Sequence, residues 1–191
     1  MTLETFSSEW VRKNAQCDAG RDWGLAFTAD GPKTVEAALR GIERADFLLW
    51  FLAYTEKIDA EDLTGILWRA ATEWIEDASA KELLRQLASP LTLDQARRVG
   101  VLATSEASLA FLGEDDFAKG HALTAVAFMA RYHAWLLSEE DNEDLALKSA
   151  QCVVNNLIAE RTGGLRFDTE AAKQLHRALC AQIVTLTGGC K

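Results

Sequence analysis

An all-α fold is predicted by three features of the sequence. Proline, the main obstacle to long helices, occurs only at Pro32 and Pro90. Ala, Leu, Glu, Arg and Gln, which favour helices, dominate the chain. Apolar residues recur at spacings of three and four, and no alternating strand pattern persists. The expected architecture is one domain over residues 1–187, with a fraying tail at 188–191. It holds eight or nine helices in an irregular bundle or a stack of helical hairpins.

The first helical segment is expected from about Ser8 to Phe27, capped by Ser7 or Ser8, with Gly20 and Gly24 as its breaking points. DGPKT then turns the chain, and Pro32 suits the first turn of a helix running from Lys33 to about Glu43. The continuous apolar run ADFLLWFLAY fits a buried strand or a buried helix, and its Leu and Ala content decides for helix. IDAED starts the next helix, whose stripe is Leu63, Ile66, Leu67, Ala70 and Trp74. A short helix with Leu83, Leu84 and Leu87 stops at Ser89 and Pro90. Thr92 and Gln95 form a capping box, and Gly113 ends the helix that they open.

Asp115 and Asp116 open a helix that is apolar almost all round from Ala122 to Leu137, with Arg131 and His133 as its exceptions. A helix of that kind belongs in the middle of the fold, so residues 115–138 are the expected centre. After the acidic segment 138–144 comes a helix that ends at Gly163 and Gly164. Asp168 or Thr169 caps the last one, whose stripe is Ala172, Leu175, Leu179, Ile183 and Leu186.

Net charge is −9. Such a chain is repelled by phosphates and anionic lipids, so neither nucleic acid nor membrane is an expected partner, whereas a basic protein is attracted. The longest apolar run, Phe47 to Tyr54, is far short of the roughly 20 residues of a membrane span. The N-terminus lacks the basic region and apolar run of a secretory signal. Cys17, Cys152, Cys180 and Cys190 show no CxxC spacing, and together these features point to a reducing cytoplasm.

Catalytic and metal devices have characteristic spacings. Glu-x-x-His, HExxH, GxSxG, GxxxxGK[ST] and GxGxxG are all missing. His121 and His133 lie twelve apart on one helix, about 120° around it, and so do not share a ligand. His176 and Cys180 share a face at i, i+4, but nothing supplies the second half of a zinc site. No metal or cofactor is expected. The acidic segments are solvated helix-capping loops or an acidic face for a basic partner, through Glu114, Asp115 and Asp116 or through Glu139, Glu140 and Asp141. Among six tryptophans, Trp68 lies away from the Trp74 stripe and is a candidate contact residue.

Cys17, Gly20 and Trp23 form a C-x-x-G-x-x-W arrangement, and Asp46 precedes Leu-Leu-Trp50. With Gln174, Cys180 and Ile183 near the C-terminus, these residues resemble a family of helical bacterial immunity proteins of toxin systems. The resemblance is firmest over the first third of the chain, and the middle departs from it with fewer alanines and an acidic loop. It implies a cytoplasmic binder that neutralises a toxin by direct contact, and it brings no catalytic residues. Two other readings stand beside it. One is a small-ligand or metal-dependent protein whose site gathers Asp46, Arg131, His133 and His176. The other is a homo-oligomeric assembly protein with an exposed tryptophan face.

Overall fold

The computed structural model describes residues 4–15, 18–55, 58–88, 91–113, 116–138, 143–165 and 168–186. The chain is mostly α-helical, as expected. Ten helices are found among these residues, against the eight or nine read from sequence. The extra one comes from the first segment, which is two helices, α1 (Ser8–Asn14) and α2 (Asp18–Phe27).

The break between α1 and α2 does not fall at the glycines. Gly20 and Gly24 are buried inside α2. A Cβ at Gly24 would lie 2.7 Å from Cγ1 of Val11, so this glycine makes room for α1 to cross closely. The run of helices is preceded and interrupted by two short strands, β1 (Thr5–Phe6) and β2 (Lys33–Thr34), paired antiparallel with Thr5 opposite Thr34. Lys33 is therefore extended rather than helical. Thr34 caps α3 (Val35–Gly41) by accepting from the Ala37 N–H at 3.1 Å.

Helix α4 (Ala45–Tyr54) is buried over eight consecutive residues, from Ala45 to Leu52. Phe51 is fully buried among Phe6, Trp10 and Trp50, which ties α1 and β1 to α4. Asp59 caps α5 (Ala60–Trp74), and Asp77 caps α6 (Ala78–Gln86). The stop expected at Ser89 and Pro90 lies outside the described residues.

Helix α7 (Leu93–Leu112) opens with the expected capping box and ends at Gly113. Asp116 caps α8 (Phe117–Leu136), accepting from the Lys119 N–H. Helix α8 packs along both α7 and α9 (Glu143–Thr162) and also meets α5 and α6. It is the central helix, because an element apolar all round can only be satisfied by neighbours on several sides. Gly163 and Gly164 end α9 with φ of 71° and 156°, where a Cβ is strained. Thr169 then donates no helix of its own but caps α10 (Glu170–Leu186), accepting from Ala172 N–H at 3.2 Å. The expected C-terminal tail lies outside the described residues. No helix among the described residues is long and apolar enough to cross a membrane.

Candidate functional site

Helix α7 is patterned in an unusual sense. Its buried residues are Ala96, Val99, Ala103 and Ala107, mostly the smallest it has. Larger side chains face outward, with Val101 66%, Leu109 69% and Leu112 80% exposed. Small residues on the packed face let α7 lie close to α8, and the position of a Cβ on Gly100 would be 3.5 Å from that of Ala130. Single exposed leucines are ordinary, but several along one helix leave a contiguous apolar surface, which marks an interaction site.

Beside that surface runs a groove of about 540 Å³ between α7, α8 and the start of α9. Gly100, Ala127, Ala130 and Ala134 are among its lining residues, as are Val101, Trp135 and Leu145. Arg97 and Arg131 bring the charges. Trp135 Nε1 is buried and has no hydrogen-bond partner among the described residues, although a buried indole N–H ordinarily finds one. Ser138 and Leu145 also line the groove, and they flank the acidic segment 139–144 in the chain. The groove can therefore take an apolar segment.

The expected contact residues fall as follows. Asp116 is exposed and caps α8. Glu114, Asp115, Glu139, Glu140 and Asp141 lie outside the described residues. Trp68 is half-buried against the core.

The four ligand-pocket candidates do not converge on one cavity. Arg131 lines the α7–α8 groove, with its guanidinium 5.3 Å from the centre of the Phe128 ring. His133 is half-buried on α8, its Nε2 has no hydrogen-bond partner among the described residues, and burial pushes its pKa down. Asp46 and His176 do come together, and each carries a structural bond there. His176 Nδ1 accepts the N–H of Ala45 at 3.2 Å, supplying the first turn of α4 with an acceptor that Arg44, its N-cap, does not provide. This bond fixes the neutral ring with its proton on Nε2. Burial holds the His176 pKa below 6.5, Asp46 opposes this, and Arg44 adds to it. Asp46 is paired to Arg44 through two hydrogen bonds, of 3.1 and 2.7 Å.

Cys180, one turn along from His176, has its pKa pushed up to about 12 by burial, with Asp46 and Glu43 adding to the effect. Its thiol is thus a poor ligand and a poor nucleophile. Among the described residues no three His, Cys, Asp or Glu side chains are grouped to hold a metal ion.

A second cavity, of about 510 Å³, lies between the start of α2, α4 and α9. Gly20, Asp46 and Trp50 line it, with Cys152 and Asn155 opposite. Three residues of the C-x-x-G-x-x-W and Asp-x-x-x-Trp pattern thus line the same cavity. Cys17 lies outside the described residues.

Glu160 is another buried charge that sequence reasoning missed. It accepts the Glu76 N–H at 2.9 Å and holds the α5–α6 turn to α9, assisted by Arg161, which donates to Trp74 O and to Glu76. Burial raises the Glu160 pKa above 4.5, against the opposing backbone N–H groups of Glu76 and Asp77. A raised acid titrates later in the folded than in the unfolded chain, so its contribution is complete below pH 4.5 and is lost as pH rises through the folded value. Glu160→Gln keeps the acceptor and removes this loss. Urea unfolding at a series of pH values will show a flatter profile for Glu160→Gln than for the parent above pH 4.5. Glu160→Ala, which strands the Glu76 N–H, will cost about 1–3 kcal/mol.

The signal for the groove was present in the sequence as the stripe Ala96, Gly100, Ala103 and Ala107, at steps of four, three and four, opposite a stripe of larger residues. Comparison with protein-family models, with curated proteins and with solved structures finds no match for this chain.

Proposed function

We propose that this protein is a non-enzymatic protein-binding module of the cytoplasm, acting as an immunity protein that neutralises a basic toxin domain by direct contact. The observation that carries the reading is the α7–α8–α9 groove, whose walls are mostly apolar and whose lining includes Ser138 and Leu145, the residues that flank the acidic segment 139–144 in the chain. An apolar helix face of the partner fills the groove as in other helix-in-groove complexes. The surplus negative charge of the chain speeds encounter with a basic partner. An irregular helical bundle suits this role, because a rigid scaffold keeps the binding face preformed.

The missing catalytic spacings and the structural duties of Asp46 and His176 weigh in the same direction. The test is protection. Co-expression with the toxin domain encoded beside it is expected to restore growth, and the two chains should co-purify. Growth arrest that persists despite a folded, abundant protein would overturn the reading.

A further inference from the structure

A further cavity, of about 670 Å³, lies where the α5–α6 turn, the start of α8, the end of α9 and α10 meet. Glu76, Asp77, Asp116 and Glu160 line it against Lys119 and Arg161, so among its described residues acids outnumber bases four to two. Asp77 and Asp116 cap α6 and α8, and Glu76 accepts from Arg161, in each case through a single carboxylate oxygen. Glu160 is the exception, because it is only 9% exposed. Its Oε1 accepts the Glu76 N–H, and its Oε2 is buried with no hydrogen-bond partner among the described residues. Arg161 follows it in the chain but is turned to Trp74 O and to Glu76. Burial raises the Glu160 pKa first, and the charge of Glu76 raises it by more than that of Arg161 lowers it. A buried carboxylate so poorly compensated is costly, and an arriving cation offsets that cost.

We propose that this cavity takes a guanidinium group, carried on an arginine side chain of a basic protein partner. A guanidinium presents a planar fork of N–H donors, which can serve Glu160 together with a second carboxylate of the cavity. It is also weakly hydrated, so it loses little on entering a part-buried site. A metal ion needs its ligands drawn close around it, and among the described residues no three His, Cys, Asp or Glu side chains are grouped in that way. The cavity stands at the opposite end of α8 from Trp135 and Ser138 of the groove, so the two sites are separable. Only the choice of a protein as the carrier of the guanidinium rests on the immunity reading.

Amide NMR of the isotope-labelled full chain, titrated with N-acetylargininamide, is expected to shift the signals of Glu76, Asp77 and Glu160 and to saturate. The uncharged N-acetylcitrullinamide should leave them in place. Glu160→Gln keeps an acceptor for the Glu76 N–H, and Asp116→Asn keeps a good helix cap. Each should weaken the arginine probe about tenfold, the worth of one hydrogen bond to a charged group. Circular dichroism checks that both variants are folded. Binding by the parent should tighten as pH rises above 4.5, because Glu160 gives up its proton to pair, and Glu160→Gln should flatten that profile. The charged groups that share the cavity with Glu160 are Glu76, Asp77, Asp116, Lys119 and Arg161, and α10 adds none. An equal response to the two probes, or arginine binding that survives both substitutions, overturns the proposal. Toxin binding unmoved by both substitutions, with the probe still dependent on them, overturns the protein source and assigns the cavity to a free guanidine compound. A probe that binds as expected while growth arrest persists faults the immunity reading alone.

Discussion

Replacement of Phe51 by Ala will lower stability by about 3–5 kcal/mol, the range for removing a fully buried phenylalanine. Phe51 has no exposed surface and sits at the junction of three other aromatic side chains. Its ring centre is 5.0 Å from that of Phe6 and 6.0 Å from that of Trp10, both edge-on, and it neighbours Trp50. Edge-to-face pairs add to the plain burial of area. Local collapse cannot fill the gap, because the neighbours are themselves rings held from the far side, Phe6 by Phe27 and Trp50 by Tyr54. For a chain of this size the loss corresponds to a fall in Tm of roughly 6–20 °C. The damage will be uneven. Phe6 and Trp10 belong to β1 and α1, so amide exchange should accelerate over residues 4–27 before it does in α8. Calorimetry with exchange mapping checks both parts, and Phe51→Leu should recover most of the loss.

The second large effect is at His176. His176→Ala will cost about 2–4 kcal/mol, from an orphaned Ala45 N–H at the start of α4 together with the cavity left by a buried ring. The parent chain will also lose stability on the acid side. A histidine whose folded pKa lies below 6.5 binds fewer protons folded than unfolded, so its contribution is complete above pH 6.5 and is lost as pH falls through the folded value. Protonation at Nδ1 would remove the acceptor for Ala45 and place a positive charge at the positive end of α4. Asp46 faces the ring and resists this trend, while Arg44 reinforces it. His133 shifts in the same direction through burial. His176→Gln can keep an acceptor for Ala45 without titrating. Chemical denaturation between pH 5 and 7.5 should therefore show a shallower acid-side slope for His176→Gln than for the parent, roughly by the share of one histidine.

Local signals in this chain proved more readable than distant ones. The Thr92–Gln95 capping box, the stop at Gly113 and the positive-φ glycines after α9 depend only on residues within a turn of each other. The all-round apolarity of α8 also announced its central place. The break between α1 and α2 was misplaced because a glycine was read as a breaker, whereas Gly24 serves close packing against Val11. The β1–β2 pair was missed because two residues are too few to show an alternation. The His176–Ala45 bond spans 131 residues, and no local pattern encodes it. Of the four ligand-pocket candidates, Asp46 and His176 come together, whereas Arg131 and His133 share their chemistry and not their place. For the groove, the alternating stripes of α7 were legible, while the identity of the packed face was not. Alanine on the inside and leucine on the outside reverses the usual assignment, and only the close approach of α8 decides it.

The most direct measurement of the binding proposal is hydroxyl-radical footprinting of the chain alone and with the toxin domain, scored at single side chains. The groove account predicts partner-dependent protection of Val101, Trp135 and Leu145, and loss of binding in Thr104→Trp, which fills the groove from an exposed position and should leave Tm unchanged. Protection confined to other surfaces, with Thr104→Trp binding as tightly as the parent, would contradict it.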